Sequence, residues 1–139
     1  MVNRPILQIL HGQKLLTMLP TGTVQQACQQ MRAQRYGAVV VTDQSKRLVG
    51  IFTGRDAVRC LAASQNPAAT ELGAVMTPAP RFLGPEATAV EALRMMHAGG
   101  FRHVPVLRSG IVIGIVSRED LLGMEGHLLE SELASHNQM

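Results

Sequence analysis

The chain is written twice. Sliding the sequence by 65 residues sets Pro20 on Pro85, Thr23 on Thr88, Ala27 on Ala92, Met31 on Met96, Val39 on Val104 and Val41 on Val106. A slide of 64 then sets Gly50 on Gly114, Ile51 on Ile115 and Asp56 on Asp120. The one-residue change falls in the polar turns Asp43–Arg47 and Arg108–Gly110, where length changes are tolerated. A register of this kind marks a duplicated supersecondary unit. At 139 residues the chain is one domain, or two very small units that need each other to bury a core.

Each copy carries the same succession of patterns. Thr23 and Thr88 are N-cap candidates. Behind them Val24, Ala27, Cys28 and Met31, and in copy two Ala89, Ala92, Leu93 and Met96, take the i, i+3, i+4, i+7 spacing of one helix face. Glycines at Gly37 and at Gly99-Gly100 are the expected helix ends. The apolar runs Ala38–Val41 and Val104–Leu107 read as strands buried on both faces. A short polar turn leads to second strands at Leu48–Thr53 and Ile111–Ser117, so each pair is expected to form an antiparallel hairpin. Further short strands are expected near Leu15–Leu19 and Arg81–Gly84, a helical turn at Thr70–Val75, and a terminal helix from Gly126. The fold class is therefore α/β, in the α+β sense: two β-α-β-β-α repeats. The expected limits are 6–65 for the first repeat, 66–75 for a connector, 76–130 for the second repeat and 131–139 for a tail.

The second strands end in G-I-F-T-G-R-D (Gly50–Asp56) and G-I-V-S-R-E-D (Gly114–Asp120). A hydroxyl residue followed three positions later by an acid is a capping box. The same pair is suited to a ligand. A helix N-terminus offers free N–H groups to a phosphate, and an ionised carboxylate accepts two hydrogen bonds from a vicinal diol. Spacing alone leaves capping and ligand binding both open.

Composition removes other classes. The formal charge is +3, but the basic residues are scattered and form no run for nucleic acid. Aromatic residues make up 3% of the chain, with no Trp, too few for a base-stacking surface. Cys28 and Cys60 lack CxxC spacing, so neither a disulfide scaffold nor a zinc site is indicated. No stretch approaches the ~18 apolar residues of a membrane span, and a cytoplasmic protein is the expectation. None of the phosphate-loop, dinucleotide, zinc-protease or serine-hydrolase motifs is present; the chain reads as a non-enzyme.

Together, T-V-x-x-A at Thr23–Ala27, A-V-V-V at Ala38–Val41, M-T-P at Met76–Pro78, F-R-H-V-P-V at Phe101–Val106 and the two hydroxyl-x-x-Asp stretches resemble the cystathionine-β-synthase (CBS) domain. Two copies with nothing else resemble a stand-alone CBS pair, or Bateman module. The resemblance implies two repeats packed about a pseudo-twofold axis. It implies clefts that take an adenosine-containing ligand: AMP, ADP, ATP, S-adenosylmethionine or NAD. Asp56 and Asp120 would hold ribose hydroxyls, and Thr53 and Ser117 ribose or phosphate, with Arg55 and Arg118 beside the anion. Arg102 and His103 would contact phosphate, Thr77 would reach the adenine, and the backbone near Val39, Val104 and Pro105 would line its pocket. Because Gly37 and Ala38 replace Arg102 and His103 in copy one, the two sites are not expected to be equivalent. The implied role is a regulatory module with no obligatory cofactor, pairing as a homodimer and acting on an effector protein. The alternatives are a structural or oligomerisation module without ligand, or a regulatory subunit of a partner enzyme or transporter.

Overall fold

The two amphipathic stretches fold as helices of matched length in the computed structural model, which describes residues 3–121. In chain order the elements are α1 (Ile6–Leu10), β1 (Thr17–Met18), α2 (Val24–Gln34), β2 (Ala38–Thr42), β3 (Leu48–Thr53), α3 (Gly54–Ala62), α4 (Leu72–Val75), β4 (Thr77–Pro78), α5 (Ala89–Gly99), β5 (His103–Arg108) and β6 (Ile111–Ser117). A single 3₁₀ turn, Arg118–Leu121, closes the described chain. The terminal helix expected from Gly126 lies outside the described residues.

Local chemistry starts both long helices. The Thr23 hydroxyl accepts from the Gln26 N–H at 3.1 Å, and the Gln26 side chain returns the bond to the Thr23 N–H at 3.0 Å. Thr88 caps α5 with one half of this arrangement, its hydroxyl accepting from the Glu91 N–H at 3.4 Å. The ends differ. Gly100 terminates α5 in the left-handed region, φ 69°, as glycine readily does. In copy one the left-handed residue is Arg35, φ 60°, two positions before the expected Gly37. A side chain there costs about 1–2 kcal/mol of local strain. Arg35→Gly is therefore expected to raise stability by about 0.5–1 kcal/mol, after glycine's greater freedom in the unfolded chain is deducted. Thermal unfolding of the variant against the parent measures it.

The chain forms two compact units, and each is built from both halves of the sequence. One comprises residues 14–81 with 109–112. Its sheet has the order β1-β2-β3-β4, with β1 parallel to β2 and the other pairs antiparallel. On it pack α2, α3 and α4, enclosing Val24, Ala27, Val39, Val41, Phe52, Cys60 and Leu72. The other comprises, among the described residues, 3–13, 82–108 and 113–121. There β5 and β6 are neighbours, joined across Ser109-Gly110, a connection short enough only for antiparallel strands. The strand expected at Arg81–Gly84 is reduced to a single parallel bridge, Leu83 with Val106. Its core holds Ile6, Ala89, Ala92, Leu93, Met96, Val104, Val106, Val116 and Leu121.

Each unit is thus completed by the segment that precedes the opposite repeat. Thr70 O accepts from Val24 N at 2.9 Å, and Gly22 O accepts from Leu72 N at 2.8 Å. In the second unit Arg4 O accepts from Ala89 N and Ala87 O from Ile6 N, both at 2.9 Å. Leu72 and Ile6 are both fully buried as a result. The edges of β3 and β6 are closed by equivalent means. Thr77 pairs with Ile51 through the backbone. Gln13, its counterpart at the 64-residue offset, uses its side-chain amide to donate to Ile115 O at 2.7 Å and to accept from Ile115 N at 3.1 Å. The repeated glycines permit this approach. A Cβ on Gly50 would collide with the Met76 side chain, and one on Gly114 would meet Leu10 at 2.7 Å.

Candidate functional site

The chain direction set by β3 delivers Thr53 to the start of α3, and the first turn of that helix carries Asp56 inward. Asp56 is only 3% exposed. Its Oδ2 accepts from the Thr53 N–H at 2.9 Å and from the Thr53 hydroxyl at 3.3 Å. Its Oδ1 accepts from Arg59 Nη1 at 3.4 Å and, at 3.5 Å, from the Thr77 hydroxyl. A carboxylate on the first turn of a helix is favoured by the dipole and closes half of a capping box. The Arg59 pair adds little, because Arg59 is 68% exposed and exposed pairs are worth well under ~1 kcal/mol. Arg55, beside it on the first turn of α3, is exposed.

The second motif repeats the geometry with a different exposure. Asp120 Oδ2 accepts from the Ser117 N–H at 2.9 Å, and the Ser117 hydroxyl accepts from the Asp120 N–H at 3.3 Å. Here the aspartate is exposed. Arg118 N donates to Arg102 O at 2.9 Å, which draws the start of β5 against the start of the 3₁₀ turn. That places exposed Arg102, half-buried His103 and exposed Arg118 around one corner. Arg4 reaches the same corner and donates from Nη2 to Asp120 O at 3.0 Å. Burial holds the His103 imidazole below its ordinary value, and Arg102 adds to this, while Glu119 and Asp120 pull the other way. The folded state therefore prefers neutral His103, and the unfolded chain binds its proton more readily. Stability is expected to fall as pH drops through the ordinary imidazole value of 6.5 and to level off below the folded value. Denaturant midpoints across that range measure it, and His103→Gln is expected to flatten the slope.

The expected adenine-pocket residues are core. Val39 and Val104 are fully inaccessible, and Pro105 is buried with them. Their backbone is committed to the sheets: Val39 pairs with Phe52, and Pro105 O accepts from Leu83 N at 3.0 Å. Pro105 thus lies where it is needed only as an acceptor. The structure brings together Thr53, Asp56 and Thr77 in one unit and Arg102, His103, Ser117, Arg118 and Asp120 in the other. Arg4 and Gln13 were not singled out by pattern. Only the repeat register, which equates Gln13 with Thr77, signals one of them.

Among the described residues no helix is long and apolar enough to cross a membrane, and no cluster of three or more His, Cys, Asp or Glu could hold a metal ion. Cys28 and Cys60 are free. Burial pushes both thiols up, with the neighbouring Cys60 adding to the effect on Cys28.

Each copy of the doubled α/β unit ends its second strand in a hydroxyl-x-x-Asp capping box. The chain belongs to the CBS-domain family, whose sequence profile matches residues 10–63 and 72–125. It is 40% identical over 104 residues to the CBS domain-containing protein CBSCBSPB1 of Arabidopsis thaliana, a match covering 74% of this chain and 19% of that protein. This chain therefore spans less than a fifth of the length of that relative. The CBS-domain containing protein ATU1752 from Agrobacterium tumefaciens superposes with a TM-score of 0.77 at 31% identity, over 83% of this chain and 94% of that one. The CBS domain protein PAE2072 from Pyrobaculum aerophilum, solved in complex with AMP, shares the fold with a TM-score of 0.79 at 22% identity, over 92% and 96% of the two chains. CBS-domain pairs are regulatory and signal-transduction modules, and those without further domains are generally non-catalytic.

Proposed function

We propose that this chain is a non-catalytic ligand sensor: its CBS pair binds an adenosine-containing molecule and passes the bound state to an effector, with two copies of the chain working as a dimer in the cytoplasm. The observation that carries the reading is the corner at the end of β6. There an exposed carboxylate, fixed by its own capping box, stands with Arg102, His103 and Arg118 in a single unit. A carboxylate accepting from a ribose diol and guanidinium groups facing phosphate are the complementary chemistry. In the first motif the same carboxylate is buried and already engaged, so Ser117–Asp120 is the primary ribose site and Thr53–Asp56 chiefly frames its unit. AMP on a protein of this fold is consistent with that ligand class.

The test is thermal unfolding of protein stripped of nucleotide, with AMP, ADP, ATP, S-adenosylmethionine and NAD in turn. A ligand at about 100 times its dissociation constant is expected to add ~2.7 kcal/mol. The reading fails if none shifts the transition and mass spectrometry of freshly purified protein finds no adenosine compound. Dimer formation without any ligand would then favour a purely structural module.

A further inference from the structure

Gln13 sits just past the end of α1, its backbone tied down by its N–H, which donates to Leu10 O at 2.9 Å. Its side chain reaches across 102 residues of sequence to Ile115. The amide nitrogen donates to Ile115 O at 2.7 Å, and the amide oxygen accepts from Ile115 N at 3.1 Å. A residue's N–H and C=O leave a strand on one side, so Ile115 turns both toward the edge of β6 opposite β5. Two residues on, Ser117 presents its N–H to that same edge, where Asp120 Oδ2 accepts it at 2.9 Å. The Ile115 pair and the carboxylate proposed above for ribose therefore share one strand edge, with Ile115 and Ser117 about 7 Å apart along it.

We propose that the Gln13 amide is a built-in stand-in for adenine: in the empty protein it occupies the donor–acceptor pair of Ile115, and the base of the ligand must displace it to dock. The inference rests on the sensor reading above. A primary carboxamide offers an N–H donor beside an acceptor oxygen. The pairing edge of adenine offers the same two groups, its N6 amino group beside N1. Either one satisfies Ile115, and both cannot do so together. The corresponding edge in the other unit is closed differently. There Ile51 pairs with the backbone of Thr77 in β4, so clearing it means moving a strand, whereas Gln13 leaves by rotating its own side chain. Gln13 and Ile115 are both half-buried, so the exchange does not open the core. Ligand affinity is lowered by the fraction of protein in which the edge stands open. The plug thereby keeps the edge paired when ligand is scarce and sets the concentration at which the module responds.

The test is titration calorimetry of nucleotide-free parent and Gln13→Ala with AMP, ADP, ATP, S-adenosylmethionine and NAD. All five carry the same base and ribose. Removing the plug should therefore tighten each one that binds by the same factor, about tenfold, which is ~1.4 kcal/mol and the net worth of one or two hydrogen bonds. Gln13→Asn is one methylene too short to keep both bonds. It should tighten binding similarly, and it serves if Gln13→Ala does not fold. Binding by the variants alone would also support the plug. Unchanged or weaker binding in the variants, while the parent still binds, overturns the plug and leaves the sensor reading intact. Failure of all five compounds to bind the parent and both variants defeats the sensor reading, and the plug with it.

Discussion

Phe52→Ala is expected to destabilise the fold by about 3–5 kcal/mol, the range for removing a fully buried aromatic side chain. Among the described residues Phe52 is the largest of the fully buried side chains, with no accessible surface. It lies in β3, pairs with Val39, and fills the space under α2, α3 and α4 among Val24, Ala27, Val41, Cys60 and Leu72. Each of these neighbours is held in a strand or a helix, so collapse around the void is limited and most of the cavity cost remains. Against a typical stability of about 5–15 kcal/mol, the variant is expected to be marginal at room temperature. Urea unfolding followed by circular dichroism measures the loss. Leu61→Ala supplies the contrast: at 68% exposure its truncation should change stability by no more than about 0.5 kcal/mol. A Phe52→Ala loss below 1 kcal/mol would show that this cluster is not the centre of its unit.

What the sequence made legible follows from how local the determining forces are. The strands Leu48–Thr53 and Ile111–Ser117 run over the expected residues, because an apolar run bounded by a tight turn and a hydroxyl residue leaves little freedom. Thr23 and Thr88 cap the expected helices for the same reason, since the cap and its acceptor lie three residues apart. Features decided by distant packing were not legible. Ile6–Leu10 is an undistinguished apolar run in the sequence, and its helix exists because Ile6 is buried against residues 87–121. Thr77 has no strand pattern of its own; β4 forms because the open edge of β3 needs partners. Arg35 took the left-handed position because α2 ends where its apolar face runs out, before the glycine is reached. At the site, spacing identified both aspartates but gave their burial no sign. That difference arises because Thr77 and Arg59 engage Asp56 from beside it, while Arg4 takes only the main-chain oxygen of Asp120.

The same difference separates the consequences of removing each carboxylate. Asp120→Ala is expected to weaken the adenosine ligand by at least about a hundredfold, since two charge-assisted hydrogen bonds at about 1.5–3 kcal/mol each are lost and 1.4 kcal/mol is tenfold. Its effect on folding should stay near ~1 kcal/mol, the worth of an exposed cap. Asp56→Ala should do the reverse. It leaves the part-buried Thr53 N–H without its acceptor and removes the anchor for Thr77, which costs stability by about 1–3 kcal/mol, while affinity is largely kept. Asp56→Asn, which preserves shape and an acceptor oxygen, should recover part of that loss. Titration calorimetry for the ligand and urea unfolding for the fold, on all three variants, separate the roles. If Asp56→Ala abolishes binding while Asp120→Ala leaves it intact, the ribose belongs to the first motif and the assignment to Ser117–Asp120 is overturned.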